Sequence, residues 1–123
     1  MSASQVPPKF RIRVVFGSHG MIGPGKADLL EQIIRTGSIA AGGRALGMSY
    51  KRAWQLVETM NAMFEEPVVV GTRGGAKGGG AVLTQTGNRV LEAYRALERD
   101  AEKAAEPHVG RLQTMLRDIP DGK

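Results

Sequence analysis

The residues best suited to chemistry are polar and cationic side chains that lie close together in the middle of the chain. Arginine and lysine can hydrogen-bond guanine, glutamine can pair with adenine, and the N-terminus of a helix can bind a phosphate. The candidates are Ser38, Arg44, Ser49, Tyr50, Lys51, Arg52 and Gln55. These residue types favour contact with a polyanion over a bond-breaking reaction.

Charge is distributed unevenly along the 123 residues, whose formal net charge is +5. Residues 1–27 carry four bases and no acid, and residues 67–91 carry three bases and no acid. Residues 32–57 also carry four bases and no carboxylate. A surface of one sign attracts a polyanion, so the distribution favours double-stranded nucleic acid as partner. A basic solvated surface is the alternative.

The sequence offers little for catalysis. It contains no cysteine, which excludes a disulfide, a thiolate metal site and a thiol nucleophile. His19 and His108 lie far apart, and no Ser, His, Asp set stands out. No apolar run is long enough for a signal peptide or a membrane span. We therefore expect a cytoplasmic, nucleoid-associated protein that is not an enzyme and has no membrane partner.

Two glycine-rich segments resemble nucleotide-binding loops without matching them. Residues 20–27 come within one residue of a Walker A motif, but Ala27 replaces the Ser or Thr that would hold magnesium. Residues 74–80 lack the G-x-G-x-x-G spacing and join two predicted strands. For this second loop we predict a hairpin tip at which Arg73 and Lys77 contact DNA, and a merely flexible hairpin is the alternative.

Periodicity and turn residues predict the elements that position the candidates. We expect a strand over residues 10–16 and helices over about 24–36, 39–46 and 50–64. The predicted apolar positions of these helices are Leu29, Leu30, Ile33, Ile34, Ala53, Val57, Met60 and Phe64, with Trp54 and Met63 also expected in the core. The second and third helices, joined at Gly47 with Gly43 at their contact, have the features of a DNA-binding helix-turn-helix. An ordinary helical hairpin is the alternative.

The last third of the chain is predicted to form a long helix that pairs with another helix. Residues 67–84 read as the two strands of a hairpin, and a long helix follows over residues 87–106 until Pro107 breaks it. A further amphipathic turn or two, carrying Val109, Leu112, Leu116 and Ile119, is expected after the break. Apolar residues of the long helix are spaced 4, 3, 4 and 3, as in a helix that pairs with another helix. The predicted dimer interface is Val90, Tyr94, Leu97, Ala101 and Ala104.

Several segments together resemble the N-terminal DNA-binding domain of the ModE family of molybdate-responsive transcriptional regulators. The segments are Thr36-Gly37-Ser38-Ile39, Met48-Ser49-Tyr50-Lys51 with Ala53-Trp54, Met60-Asn61, and Lys77-Gly78-Gly79-Gly80-Ala81-Val82-Leu83-Thr84 with Gly87. The resemblance covers about residues 10–106. Its last element, Leu-Thr-x-x-Gly, is less specific because LysR-type regulators have a similar one.

The resemblance implies a mainly α fold with a small β-hairpin wing, a winged helix-turn-helix with a long C-terminal dimerisation helix. The expected division is a flexible N-terminus over residues 1–9, the DNA-binding domain over 10–85, dimerisation helices over 86–119 and a tail over 120–123. The expected function is that of a sequence-specific transcriptional regulator binding a pseudo-palindromic operator as a homodimer. A protein-interaction module and a small oxyanion sensor are the alternatives.

ModE proteins usually continue into molybdate-binding domains of the molbindin type, whereas this sequence ends at Lys123. We therefore expect DNA binding without an evident sensor and no cofactor in this chain. Molybdate would enter only through a missing domain or a separate effector-binding chain. A short stand-alone member of the family, a piece of a longer protein and one subunit of an assembly remain open.

Overall fold

The computed structural model describes residues 7–72 and 80–117. Within these ranges the chain forms four α-helices and two antiparallel strand pairs, β1 with β2 and β3 with β4. The elements are β1 (Val14–Val15), β2 (Met21–Ile22), α1 (Pro24–Thr36), α2 (Ile39–Ala45), α3 (Tyr50–Met63), β3 (Val69–Thr72), β4 (Gly80–Leu83) and α4 (Gln85–Thr114). The prediction of a mainly helical chain with a small hairpin is confirmed in these terms.

The boundaries of the first three helices lie within one residue of their predicted positions, and glycine and serine residues fix them. Gly37 terminates α1 in the left-handed conformation, with φ of 73°, and its N–H bonds the Ile33 carbonyl at 2.8 Å. The Ser49 hydroxyl accepts a hydrogen bond from the Arg52 N–H at 3.0 Å and thereby caps α3. Gly47, with φ of 76°, turns the chain between α2 and α3. A residue with a Cβ is strained at both glycine positions.

The core lies between α1, α3, the β3–β4 hairpin and the first turns of α4. Its buried members are Ile22, Ala27, Leu29, Leu30, Ile33, Ala53, Val57, Met60, Val68, Val69, Ala81, Leu91 and Tyr94. Two predicted core residues are wrong: Ile34 is 53% exposed and Trp54 is 41% exposed. Each follows a fully buried residue, and a helix rotates by about 100° per residue, which turns both side chains out of the core.

The predicted strand over residues 10–16 is shorter than expected. Only Val14 and Val15 pair with another strand, opposite Ile22 and Met21 respectively. Upstream of them, the Ile12 carbonyl accepts a hydrogen bond from the Tyr94 hydroxyl at 2.6 Å. A side chain of α4 thus takes the place that a neighbouring strand would occupy.

Helix α4 continues through Pro107, so the predicted break there is wrong. Its 30 residues span about 45 Å at 1.5 Å per residue. Pro107 has no N–H to offer the carbonyl four residues earlier, but this part of the helix is exposed and water can reach that carbonyl. Val109 and Leu112 therefore belong to the same helix, and Leu116 follows its end. Ile119 lies outside the described residues.

Arg95 ties α4 to α1. Its guanidinium lies 2.7 Å from Asp28, 2.8 Å from Glu31 and 2.9 Å from Glu98. Burial alone would lower the pKa of Arg95, but hydrogen bonds to these three carboxylates raise it above its ordinary value. These are the ion pairs found among residues 7–72 and 80–117, so the two acids of α1 are engaged on the side that faces α4.

Two adjacent glycines set the spacing of α2 from its neighbours. A Cβ at Gly43 would lie 2.6 Å from the Ala53 Cβ on α3, and a Cβ at Gly42 would lie 3.2 Å from the backbone nitrogen of Ile33 on α1. Each glycine costs about 1 kcal/mol of helix stability relative to alanine. The predicted contact of the two helices at Gly43 is confirmed, and Gly42 adds a second close approach, to α1.

We expect Gly43→Ala to destabilise the fold by about 1–3 kcal/mol, because the overpacking at Ala53 exceeds the gain in helix propensity. Gly110→Ala is the matched control, since a Cβ at that helical position meets nothing within 4 Å. It should stabilise the chain by up to about 1 kcal/mol. Urea unfolding measures both, and equal effects would contradict the close contact.

Candidate nucleic-acid interface

Helices α2 and α3 form a closely packed unit with a polar outer face. The Ser38 hydroxyl caps α2 by accepting from the Ala41 N–H at 3.0 Å, and the Ser49 hydroxyl caps α3 in the same way. Ala53 packs against Gly43 on the inner side of the unit. The opposite face of α3 presents Lys51 and Gln55, which are both exposed. The arrangement can offer cations and an amide to a partner while the backbone stays fixed.

The structure brings seven of the nine predicted DNA-binding residues onto this unit. Tyr50, Lys51, Arg52 and Gln55 are exposed on the first two turns of α3, and Arg44 is exposed on α2. The two serines lie at the caps and not at the centre of the face. The other two predicted residues, Arg73 and Lys77, lie outside the described residues.

Sequence reasoning missed a flank of α3 that carries an aromatic side chain. Tyr50 is 56% exposed, and Trp54, one turn further along the helix, is 41% exposed. Side chains four residues apart lie on the same helix face, so the two form an aromatic edge beside Lys51 and Gln55. Glu58 is the first exposed acid after them. The four-residue spacing of Tyr50 and Trp54 was a signal for this edge, because it places both rings on one side of the helix.

Asn61 holds the β3–β4 hairpin against α3. Its Oδ1 accepts hydrogen bonds from the N–H groups of Val68 at 2.7 Å and Val69 at 3.1 Å. Its Nδ2 donates to the Val69 carbonyl at 3.1 Å. This side chain therefore pairs with β3 as a neighbouring strand would, which gives the Met60-Asn61 segment a structural role that the sequence did not reveal.

The other strand of the hairpin is fixed at the junction of α1 and α2. The Ala81 N–H donates to the Gly37 carbonyl at 2.9 Å. A Cβ at Gly80 would lie 2.8 Å from the same oxygen, so β4 approaches this junction closely. The residue that ends α1 thus also positions the hairpin next to the α2–α3 unit.

The Leu-Thr-x-x-Gly element joins the hairpin to α4. The Thr84 hydroxyl donates to the Pro67 carbonyl at 2.7 Å and accepts from the Gly87 N–H at 2.9 Å, which caps α4. The Thr84 N–H donates to the Val68 carbonyl at 3.0 Å. A Cβ at Gly87 would collide with the Val68 backbone. Thr84 and Gly87 are therefore required by backbone geometry.

Lys26 is a buried lysine in the first turn of α1. The residue is 6% exposed, and its Nζ donates to the Met21 carbonyl at 2.8 Å. Burial lowers the pKa of Lys26 from its ordinary value, and the charge of Arg52 lowers it further. The Walker A-like pattern of residues 20–27 did not predict that this lysine is buried.

An apolar groove of about 880 Å³ runs along the start of α4. It is lined by side chains of β1, the end of α3 and α4, among them Phe16, Phe64, Val90 and Leu97. Of the predicted dimer interface, Val90, Tyr94 and Leu97 line this groove, although Tyr94 is only 3% exposed and belongs to the core of its own chain. Ala101 is half-buried and Ala104 is exposed.

Two further properties of the described part of the chain concern metal ligands and membrane spans. Residues 7–72 and 80–117 contain no group of three or more His, Asp or Glu side chains that could hold a metal ion. The same ranges include no helix with both the length and the apolar character to span a bilayer.

The amino-acid sequence of the chain is similar to those of proteins named for molybdenum transport, molybdenum-pterin binding and transcriptional regulation. It is 46% identical over 82 residues to Molybdenum-pterin-binding protein MopB of Rhodobacter capsulatus, covering 67% of this chain and 30% of that protein. It is 42% identical over 94 residues to Molybdenum transport protein ModE of Azotobacter vinelandii, covering 76% and 33%. It is 41% identical over 81 residues to the DNA-binding transcriptional dual regulator ModE of Escherichia coli K12, covering 66% and 31%.

The chain spans about a third of the length of the curated relatives that it matches. No protein-family model matches it. The similarity therefore connects the chain to one part of proteins whose names describe a transcriptional regulator, a molybdenum transport protein and a molybdenum-pterin-binding protein.

We expect Asn61→Ala to destabilise the chain and loosen the hairpin, because the variant leaves the Val68 and Val69 amides without their acceptor. The cost should be about 1–3 kcal/mol. Urea unfolding measures the loss, and amide exchange at Val69 should become faster. Asn88→Ala, at an exposed site on α4, is the control; it should leave exchange at Val69 unchanged and alter stability by no more than about 0.7 kcal/mol, through helix propensity. Unchanged exchange at Val69 in Asn61→Ala would contradict the inference that Asn61 holds β3 against α3.

Proposed function

We propose that this chain is a sequence-specific DNA-binding transcriptional regulator of the ModE type, with residues 10–85 as a winged helix-turn-helix domain. In this proposal α3 is the recognition helix and the β3–β4 hairpin is the wing. The observation that carries it is the exposed face of α3, where Lys51 and Gln55 lie on a rigid helix within a carboxylate-free run of residues. A role without catalysis agrees with the names of the relatives.

The physical basis is direct reading of base edges in the major groove. An α-helix fits the major groove, and its first turns reach the bases. Arg52 and Lys51 suit guanine, Gln55 suits adenine, and the exposed ring of Tyr50 suits a thymine methyl group. The capped N-terminus of α3 at Ser49, with Arg44 on α2, contacts phosphate and fixes the register. On the wing, Arg73 and Lys77 add phosphate or minor-groove contacts.

We further propose that two copies pair through α4. The apolar groove, lined by Val90, Leu97 and the exposed Phe16, together with the neighbouring exposed Val15, provides the surface that a second copy would cover. Ala101 and Ala104 continue the seam along α4, whereas Tyr94 supports it from inside the core. Residues 86–119 form the dimerisation segment in this proposal. A two-fold dimer binds a two-fold symmetric operator with half-sites about 34 Å, or about 10 bp, apart.

Selection of bound duplexes from fragmented genomic DNA, followed by anisotropy titrations, tests the proposal. We expect a two-fold symmetric motif that is bound at least about 10³-fold more tightly than random DNA. Equal affinity for every sequence with one steep salt dependence would reduce the basic face to a nonspecific polyanion surface.

On the selected motif, Arg52→Ala should weaken binding by about 1–3 kcal/mol and relax the preference at one base pair. The reason is the loss of a bidentate contact to guanine. Lys103→Ala on the exposed part of α4 removes the same charge and should change neither affinity nor preference. A uniform loss of affinity for all sequences in Arg52→Ala would assign this residue to phosphate instead of a base.

A second candidate, a molybdenum-binding function, rests on the name of the relative MopB. If the matched third of that protein binds molybdenum, this chain alone should bind molybdate. A ligand of the native state stabilises it by about 2.7 kcal/mol at a concentration 100 times its Kd, so molybdate should raise the melting temperature and sulfate should not. An unchanged melting temperature in millimolar molybdate would exclude this candidate.

A further inference from the structure

Trp54 places a large apolar ring in water beside the exposed face of α3 that carries Lys51 and Gln55, which we call the reading face. It is the single tryptophan of the sequence, and it is 41% exposed although tryptophan is highly buried on average in folded proteins. Trp54 follows Lys51 by three residues, so the two side chains project about 60° apart around the helix. The ring therefore extends the polar reading face with an apolar surface.

The inward positions on this part of α3 are filled by other residues. Ala53 and Val57 are 0% and 1% exposed and belong to the core. Tyr50, one turn before Trp54 on the same flank, is 56% exposed. Two neighbouring rings that remain in contact with water offer apolar area that a partner can cover, and covering it is favourable.

The surroundings of Trp54 indicate the chemistry of that partner. Residues 32–57, which include Trp54 and the reading face, contain four bases and no carboxylate, and this favours a polyanion. Asn61 projects about 20° from Trp54, two turns further along α3, and it holds β3. The indole thus lies on the flank of α3 that faces the hairpin. A DNA duplex bound to the reading face would meet the ring there.

The major groove of a DNA duplex offers base edges whose apolar group is the C5-methyl of thymine. The flat faces of the bases are closed by stacking, and a protein reaches them only by extruding a nucleotide. We propose that Trp54 is a specificity-determining residue that packs on a thymine methyl group, on the hairpin side of the base pairs that Lys51 and Gln55 contact. The inference rests on the proposed DNA-binding function and deepens it, because it adds an A·T pair to the operator.

Replacement of single thymines by deoxyuridine in the selected motif tests the contact, because it removes the methyl group and keeps the hydrogen bonds of the base pair. At one thymine of the half-site, the replacement should weaken binding of the wild type about fourfold, the contribution of one buried methyl group. In Trp54→Ala the same replacement should have no effect, which identifies the pair as coupled. Trp54→Phe keeps an aromatic ring and should remain sensitive.

The matched control is Ile34→Ala, which removes a 53% exposed apolar side chain from α1. It should respond to each deoxyuridine as the wild type does. Melting curves establish that each variant is folded before its affinity is compared.

Fluorescence of the single tryptophan gives a second readout that requires no variant. Binding of the selected motif should shield the indole from acrylamide, so quenching should fall. The duplex with deoxyuridine at the identified position should shield the ring less at saturation. If Trp54→Ala does not fold, this readout decides alone.

Unchanged acrylamide quenching on binding would overturn the inference. So would deoxyuridine effects of equal size in the wild type and folded Trp54→Ala at every thymine, since the ring would then contact no methyl group. The proposed function is judged separately by the selection experiment. A preferred two-fold motif without a Trp54-dependent methyl effect leaves that function standing, whereas the absence of any preferred motif removes both.

Discussion

The close approach of α2 to both of its neighbours is the constraint on which the rest of the structure depends. Two consecutive glycines project about 100° apart around a helix, so Gly42 faces α1 while Gly43 faces α3. A seven-residue helix has few side chains with which to hold itself in place. Omitting two Cβ atoms lets its backbone come close enough to α1 and α3 to fix the orientation of α3. The outer face of α3 is presented at a defined angle because its inner face packs closely against α2.

The hairpin is positioned mainly by polar contacts to backbone atoms. Asn61 pairs with β3, the Gly37 carbonyl receives β4, and Thr84 links the base of the hairpin to α4. Hydrogen bonds of this kind are directional, so they set the location of a small two-stranded element that could bury little apolar surface by itself. The segments that carry the resemblance to ModE regulators are largely the ones that make these bonds. Their similarity therefore reflects how the unit is assembled.

Helix caps and turns could be predicted from the sequence, whereas features that depend on the folded surroundings could not. The caps at Ser38 and Ser49 and the turns at Gly37 and Gly47 could be predicted because they depend on a few neighbouring residues. Pro107 was misjudged because its effect depends on whether water can reach the carbonyl it leaves unpaired. Trp54 was placed in the core by its type, although its rotation away from Ala53 turns it to the surface. Asn61 and Lys26 could not be assigned from sequence, since their roles depend on partners brought near by folding.

The glycines of this fold differ in how evolution could replace them. At Gly43 the obstacle is another side chain, the methyl group of Ala53, so exchanging the two residues would restore the spacing. At Gly87 the obstacle is the main chain of Val68, which every amino acid possesses. No single substitution elsewhere can remove it. A substitution at Gly43 can therefore be compensated by a second substitution at Ala53, whereas no second substitution can compensate one at Gly87.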